Sequence, residues 1–166
     1  MKFNLLFSLF VLSNILCSQI NLELKDEETK NWTIADRQKL SAADKYFSNQ
    51  EFLYARQTYD SLYKKHKSNI YIGYLLGSCS IFDPRFQVNS ESLIKAASGI
   101  KAKLMDYDYY LGRAYLVNDK FTEAIAQFEA YKLNPVDKDI KAEVDHQIFI
   151  CKSAMALEKK GVVAKI

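Results

Sequence analysis

Histidine is the side chain best suited to acid–base work near neutral pH, and this chain holds two, His66 and His146, in separate segments. Neither has a serine, cysteine or carboxylate at a spacing that would build a nucleophile relay. His146 precedes Cys151 by five residues, and positions five apart diverge around a helix, so the two do not naturally share a metal ion. Asp106 and Asp108 flank Tyr107 at the expected start of a helix, where carboxylates stabilise free backbone amides without acting as general acids. Gly73 and Gly77, four apart in a helical pattern, suit close helix packing better than a phosphate cradle. No paired-cysteine spacing for zinc occurs. The expectation is a protein that is not an enzyme and carries no cofactor and no metal.

Recognition is the remaining chemistry. Tyr71, Tyr74, Tyr109 and Arg113 stand out because tyrosine and arginine dominate binding hot spots, and Tyr109 and Arg113 lie one helical turn apart. Two readings stand side by side: a partner-facing patch, or core packing with the phenolic hydroxyls at the rim. Peptide-clamping repeat proteins place Lys, Arg and Asn at matching positions of successive first helices, and Lys45, Gly77-Ser78 and Arg113-Ala114 form no such series. The formal charge of +3 includes Lys2, the one charged residue among residues 1–18, so removal of that segment leaves +2. Such a balance gives no reason to expect nucleic acid as a partner. The basic run Lys64-Lys65-His66-Lys67 falls where a helix should end, and cations there complement the helix dipole.

The elements that position these side chains are written as a repeated pattern. Ala43, Tyr46, Phe52, Ala55 and Tyr59 recur 69 residues later as Gly112, Tyr115, Phe121, Ala124 and Phe128, close to two periods of about 34 residues. Small residues at the first and fourth positions let two helices of a hairpin approach closely, while the rings fill the groove toward the next hairpin. Leu76-Gly77 and Leu111-Gly112 mark the small-residue position of a second and third copy. The pattern predicts an all-α fold: a right-handed stack of antiparallel hairpins over residues 34–135, divided at 34–68, 69–104 and 105–135.

Thr33, three residues before Asp36, is a plausible N-cap, so the first helix should begin near Ile34 and run to about Ser48, with its partner over 51–66. Helices are expected near 106–117 and 120–133, joined by Asn118-Asp119 and stopped at Asn134-Pro135. The second copy is degenerate. Its turn is expanded to Phe82-Asp83-Pro84-Arg85-Phe86-Gln87-Val88, and its second helix should span about 89–103 on a face of Leu93, Ile94, Ala97 and Ile100. Residues 19–33 alternate polar and apolar without helical period and read as a linker. Residues 136–160 carry Ile140, Val144, Ile148, Cys151 and Met155 on one stripe, suiting a capping helix over the last bare face of an open stack. Gly161 should end it, leaving 161–166 as a tail.

Residues 1–18 read as an export signal, with Lys2, an apolar stretch from Leu5 to Leu12 and a return to polarity. The stretch is short against the ~20 apolar residues of a spanning helix, so cleavage after Ser18 and no transmembrane span are expected. Cys17 follows Leu16 rather than the small residue that lipid attachment favours. Cys79 and Cys151 sit among apolar neighbours on helical segments and read as two core thiols.

Taken together, Leu111-Gly112, Tyr115, Phe121, Ala124, Phe128 and Pro135 resemble the tetratricopeptide repeat. More narrowly, Ala43-Asp44-Lys45-Tyr46-Phe47, Tyr74-Leu75-Leu76-Gly77, residues 108–115, Phe121-Thr122-Glu123-Ala124-Ile125 and residues 145–151 resemble the N-terminal repeat region of Bacteroidetes envelope proteins. In those proteins such repeats precede a β-propeller and an OmpA-like peptidoglycan-binding domain, and relatives include a periplasmic component of type IX secretion. The resemblance implies an exported scaffold, periplasmic or outer-membrane-associated, that mediates protein–protein interaction in the bacterial cell envelope and acts on no small-molecule substrate. Its alternative is the N-terminal docking or spacer arm of a larger OmpA-like or type IX component. Peptidoglycan binding transfers to no residue of this sequence, which reaches Ile166 without propeller or OmpA-like sequence.

Overall fold

The computed structural model describes residues 24–67, 69–133 and 138–161. Among them every regular element is helical: α1 (residues 24–29), α2 (Ile34–Ser48), α3 (Phe52–Lys65), α4 (Ile70–Ser80), α5 (Ser90–Ala96), α6 (Tyr107–Leu116), α7 (Phe121–Leu133) and α8 (Lys138–Lys159). Short 3-10 segments lie at Gln87–Asn89 and Ser98–Lys103. From α2 onward each helix packs on the next in chain order. None of the described helices is long and apolar enough to cross a membrane. The proposed export signal and its cleavage point, Pro135, and most of the tail lie outside the described residues.

Local sequence accounts for the helix starts. Thr33 caps α2 as expected, its hydroxyl accepting from the Asp36 amide at 3.2 Å, and Asn69 caps α4 through the Ile72 amide at 2.9 Å. α4 is buried all round from Tyr71 to Ser80, as a helix apolar on every side must be. It is the central element, and its glycines permit that centrality. A methyl on Gly77 would stand 2.9 Å from Leu93 Cβ on α5, and one on Gly73 would stand 3.1 Å from the Tyr63 ring on α3. Gly112 brings α6 equally close to α7, where a methyl would meet the Phe128 ring at 2.7 Å.

The hairpin turns repeat as well as the side chains. Gln50 and Asp119, 69 residues apart, both take left-handed backbone conformations, with φ of 61° and 58°. At the first turn the Gln50 amide donates to Phe47 O and the Glu51 amide to Tyr46 O; at the second, Asp119 donates to Leu116 O and Lys120 to Tyr115 O. Each is a Schellman closure, which satisfies carbonyls the helix end would otherwise leave unpaired.

The structure departs from the sequence reading in three places. Residues 24–29, within the expected linker, form α1, and Leu24, Thr29 and Trp32 are buried. The ties are tertiary: Lys25 reaches Asp44 at 2.5 Å, the Asn69 amide group donates to Glu28 O at 3.0 Å, and Trp32 stacks on His66 with centroids 3.9 Å apart. The single helix expected over 89–103 breaks at Ala97, and Ser98-Gly99 lead into a 3-10 segment, as poor helix formers do. Finally, Tyr46 is 38% exposed and sits beside Tyr54 at the surface rather than packing in the core. Its counterpart Tyr115 is half-buried near Lys95 of α5, whereas the described residues ahead of α2 form just the short α1.

Ala43, Ala55, Ala124, Tyr59 and Phe128 are fully buried, with Leu76, Leu111 and Phe121 close behind, and Phe52 packs half-buried against them. On α8, Val144, Ile148, Cys151 and Ala154 are buried and Met155 partly so; the Ile140 side chain lies outside the described set. Cys79 and Cys151 are both buried free thiols. Gly161, with φ of 74°, follows the end of α8.

Candidate partner-binding groove

Side chains of α2, α4 and α6 line a cavity that α8 also borders. Its outer part, about 540 Å³, is walled by Phe47 of α2, Phe52 of α3, Tyr109 and Arg113 of α6, Glu143 of α8 and Phe82 of the expanded turn. An inner part of about 210 Å³ shares Phe47, Ser48, Met105 and Tyr110 with it and reaches Tyr71 and Tyr74. The walls are therefore mostly aromatic, with a small polar set at the lip.

That polar set is tightly arranged. Arg113 Nη1 donates to Glu143 Oε1 at 2.6 Å and to the Tyr109 hydroxyl at 3.1 Å, while Tyr109 itself donates to the same carboxylate at 2.9 Å. Burial, together with the Glu143 charge and against the pull of Arg113, pushes the Tyr109 hydroxyl up to about 12, so it stays a donor at physiological pH. The Arg113 guanidinium also lies 5.1 Å from the Phe82 ring centre, and Phe82 in turn stacks on Phe52 at 4.0 Å. A cation held between a carboxylate and aromatic faces offers a directional handle inside an apolar surface.

Asp44 occupies on α2 the place Arg113 occupies on α6, 69 residues on. It accepts from the Tyr59 hydroxyl at 2.7 Å and pairs back to Lys25 of α1, whereas Arg113 pairs forward to α8.

Of the four residues singled out for recognition, Tyr71, Tyr74 and Tyr109 are buried at 8%, 3% and 5% exposure. Tyr74 donates to the Met105 carbonyl and packs near Tyr107 and Tyr110. Core packing accounts for Tyr71 and Tyr74, which line only the inner part of the cavity; Tyr109 and Arg113 hold their polar ends at the wall of the outer part. Sequence reasoning missed Glu143, Phe82 and Asp44. Asp44 alone carried a signal, its register with Arg113.

The histidines do not converge on this groove. His66 lies against Trp32 and within 3.3 Å of Asp36, and His146 is exposed beside Asp145, which pairs with Lys132 at 2.8 Å. Comparison of the chain with protein-family models, with curated proteins and with solved structures finds no match.

Proposed function

We propose that this chain is a non-enzymatic, exported scaffold of the tetratricopeptide type, a right-handed stack of three hairpins with α8 as its capping helix, which holds a protein partner in the bacterial cell envelope. The observation that carries the reading is the aromatic groove along α2, α4 and α6, with Arg113 and Tyr109 at its wall. The paired Schellman turns 69 residues apart and the close approaches at Gly77 and Gly112 support the repeat, because equivalent backbone events recur at equivalent positions. Such surfaces bind through a few aromatic and arginine anchors set in a desolvated pocket. Crosslinking with mass spectrometry on intact cell envelopes tests it. A partner peptide crosslinked beside Phe47 or Arg113, and lost in Arg113→Ala, supports the scaffold; envelopes yielding no crosslinked neighbour on this face overturn it.

A second reading, the docking arm of a larger envelope component, is favoured by the apolar side chains left open on the last two helices, Leu133 at 79% and Phe149 at 65% exposure. An OmpA-like segment in the reading frame beyond Ile166 supports it, and a stop codon there ends it.

A further inference from the structure

A second cavity, of about 460 Å³, lies between α3 and α5 and shares no lining residue with the groove. The buried Leu76 and Ser80 of α4 line it, and its apolar wall includes Leu93 and Phe86 of the expanded turn. Small-molecule sites have this size and this mix of apolar wall and few polar groups.

The charged lining is lopsided. Arg56, Lys64 and Lys67 face one carboxylate, Asp60, and Lys64 already pairs with it at 2.6 Å. Lys67 makes no ion pair among the described residues. Arg56 is 7% exposed, rare for an arginine unless its charge is met. It is met in part: Nε lies 3.1 Å from Asp83 Oδ2, and the guanidinium stacks on the Phe86 ring at 3.7 Å. Yet Asp83 is already held by Arg85 through two contacts of 2.9 Å, so two guanidinium groups share one carboxylate and a positive charge is left over. The Arg56 Nε makes no hydrogen bond of good geometry, and neither Nη has an acceptor among the described residues. A buried arginine with spare donors on a cavity wall is a ready partner for an oxyanion.

We propose that this cavity is a binding site for a small organic anion, a carboxylate or phosphate group carried on an apolar body, with Arg56 as the anchor, Lys67 at the mouth and Phe86 and Leu93 against the apolar part. The expanded turn is then the element that builds the site: Asp83 fixes its backbone by accepting from the Arg85 amide at 3.2 Å, and so places Phe86 beneath Arg56. This adds a ligand to a chain whose sequence pointed to none, at a cavity that shares no lining residue with the proposed partner groove.

Titration of the full chain, followed by amide and arginine side-chain NMR, tests it with 3-phenylpropionate, phenyl phosphate and inorganic phosphate as probes and 3-phenylpropanol as the uncharged control. The expected result is saturable shifts at Arg56 Nε, Phe86 and Leu93 with a Kd of about 1 mM for at least one organic anion, and none for the alcohol. A response from phenyl phosphate alone assigns a phosphate site, and one from 3-phenylpropionate a carboxylate site. Because Arg56 variants risk the fold through Asp83, the decisive variants are Lys67→Glu, expected to weaken binding about tenfold, and Ser92→Trp, at a residue of the cavity lining, expected to fill the cavity and abolish binding. No saturation with either organic anion, shifts scattered over the surface lysines, or unaltered binding in both variants overturns the proposal.

Discussion

Asp36 shows how one buried carboxylate joins two helix ends. It lies at the start of α2 with 3% exposure and receives Lys65 at 2.7 Å, the Thr33 hydroxyl at 2.9 Å and His66 at 3.3 Å, all against its Oδ2. The Lys65 bond is the main reason its carboxyl is held down at about 2, against the cost of burial. A depressed carboxyl stabilises the fold above its unfolded value of about 3.9 and loses that contribution as pH falls through the folded value. Wild-type protein should therefore lose thermal stability between about pH 4 and pH 2. Asp36→Asn should lower Tm at neutral pH and flatten that acid limb, measured by circular dichroism; an unchanged limb contradicts the linkage. The sequence disclosed Thr33 and Asp36 as a capping pair. It could not disclose that Lys65, from a basic run that read as a solvated helix end, closes over that carboxylate, because the contact spans 29 residues.

At the scale of elements, the helix pairs stand or fall on close approach and on turn geometry. Gly112→Ala sets a methyl where the Phe128 ring already lies, 2.7 Å away, and over-packing of this kind costs about 1–3 kcal/mol; urea unfolding should show a lower midpoint with the slope unchanged. Gln50→Gly acts in the opposite sense. A non-glycine residue in the left-handed region costs about 1–2 kcal/mol, part of which is returned through the freer unfolded chain, so a gain of about 0.5–1 kcal/mol is expected. Legibility tracked periodicity. α2, α3, α6, α7 and α8 begin and end within about two residues of their expected limits, because their small and aromatic positions recur at helical spacing. α5 was over-extended since Ala97 and Ile100 continue the apolar period across Ser98-Gly99, where the backbone tightens instead.

Across the whole molecule, the described helices begin with α1 and finish with α8, and of these two only α8 is legible in the sequence. The buried stripe of α8 is long enough to be read from sequence. α1 buries Leu24 and Thr29, with Trp32 just beyond, around a charge run that has no period of its own, so its order comes from Asp44 and Asn69. Trp32 is the sole tryptophan, which makes the packing of α1 measurable. Native emission should be blue-shifted, and Leu24→Asp should move it to the red at denaturant concentrations that leave the far-UV helical signal intact. Coincident loss of both signals would mean that α1 is no separable lid but part of one cooperative unit.

Asp44 and Arg113, opposite in sign at matching places, make the two near-copies electrically distinct. Were α6 to dock in the seat meant for α2, Arg113 would confront Lys25; were α2 to take the seat of α6, Asp44 would confront Glu143. Two near-copies within one polypeptide invite such mis-seating, and like charges brought together penalise each mistaken order while leaving the right one paired.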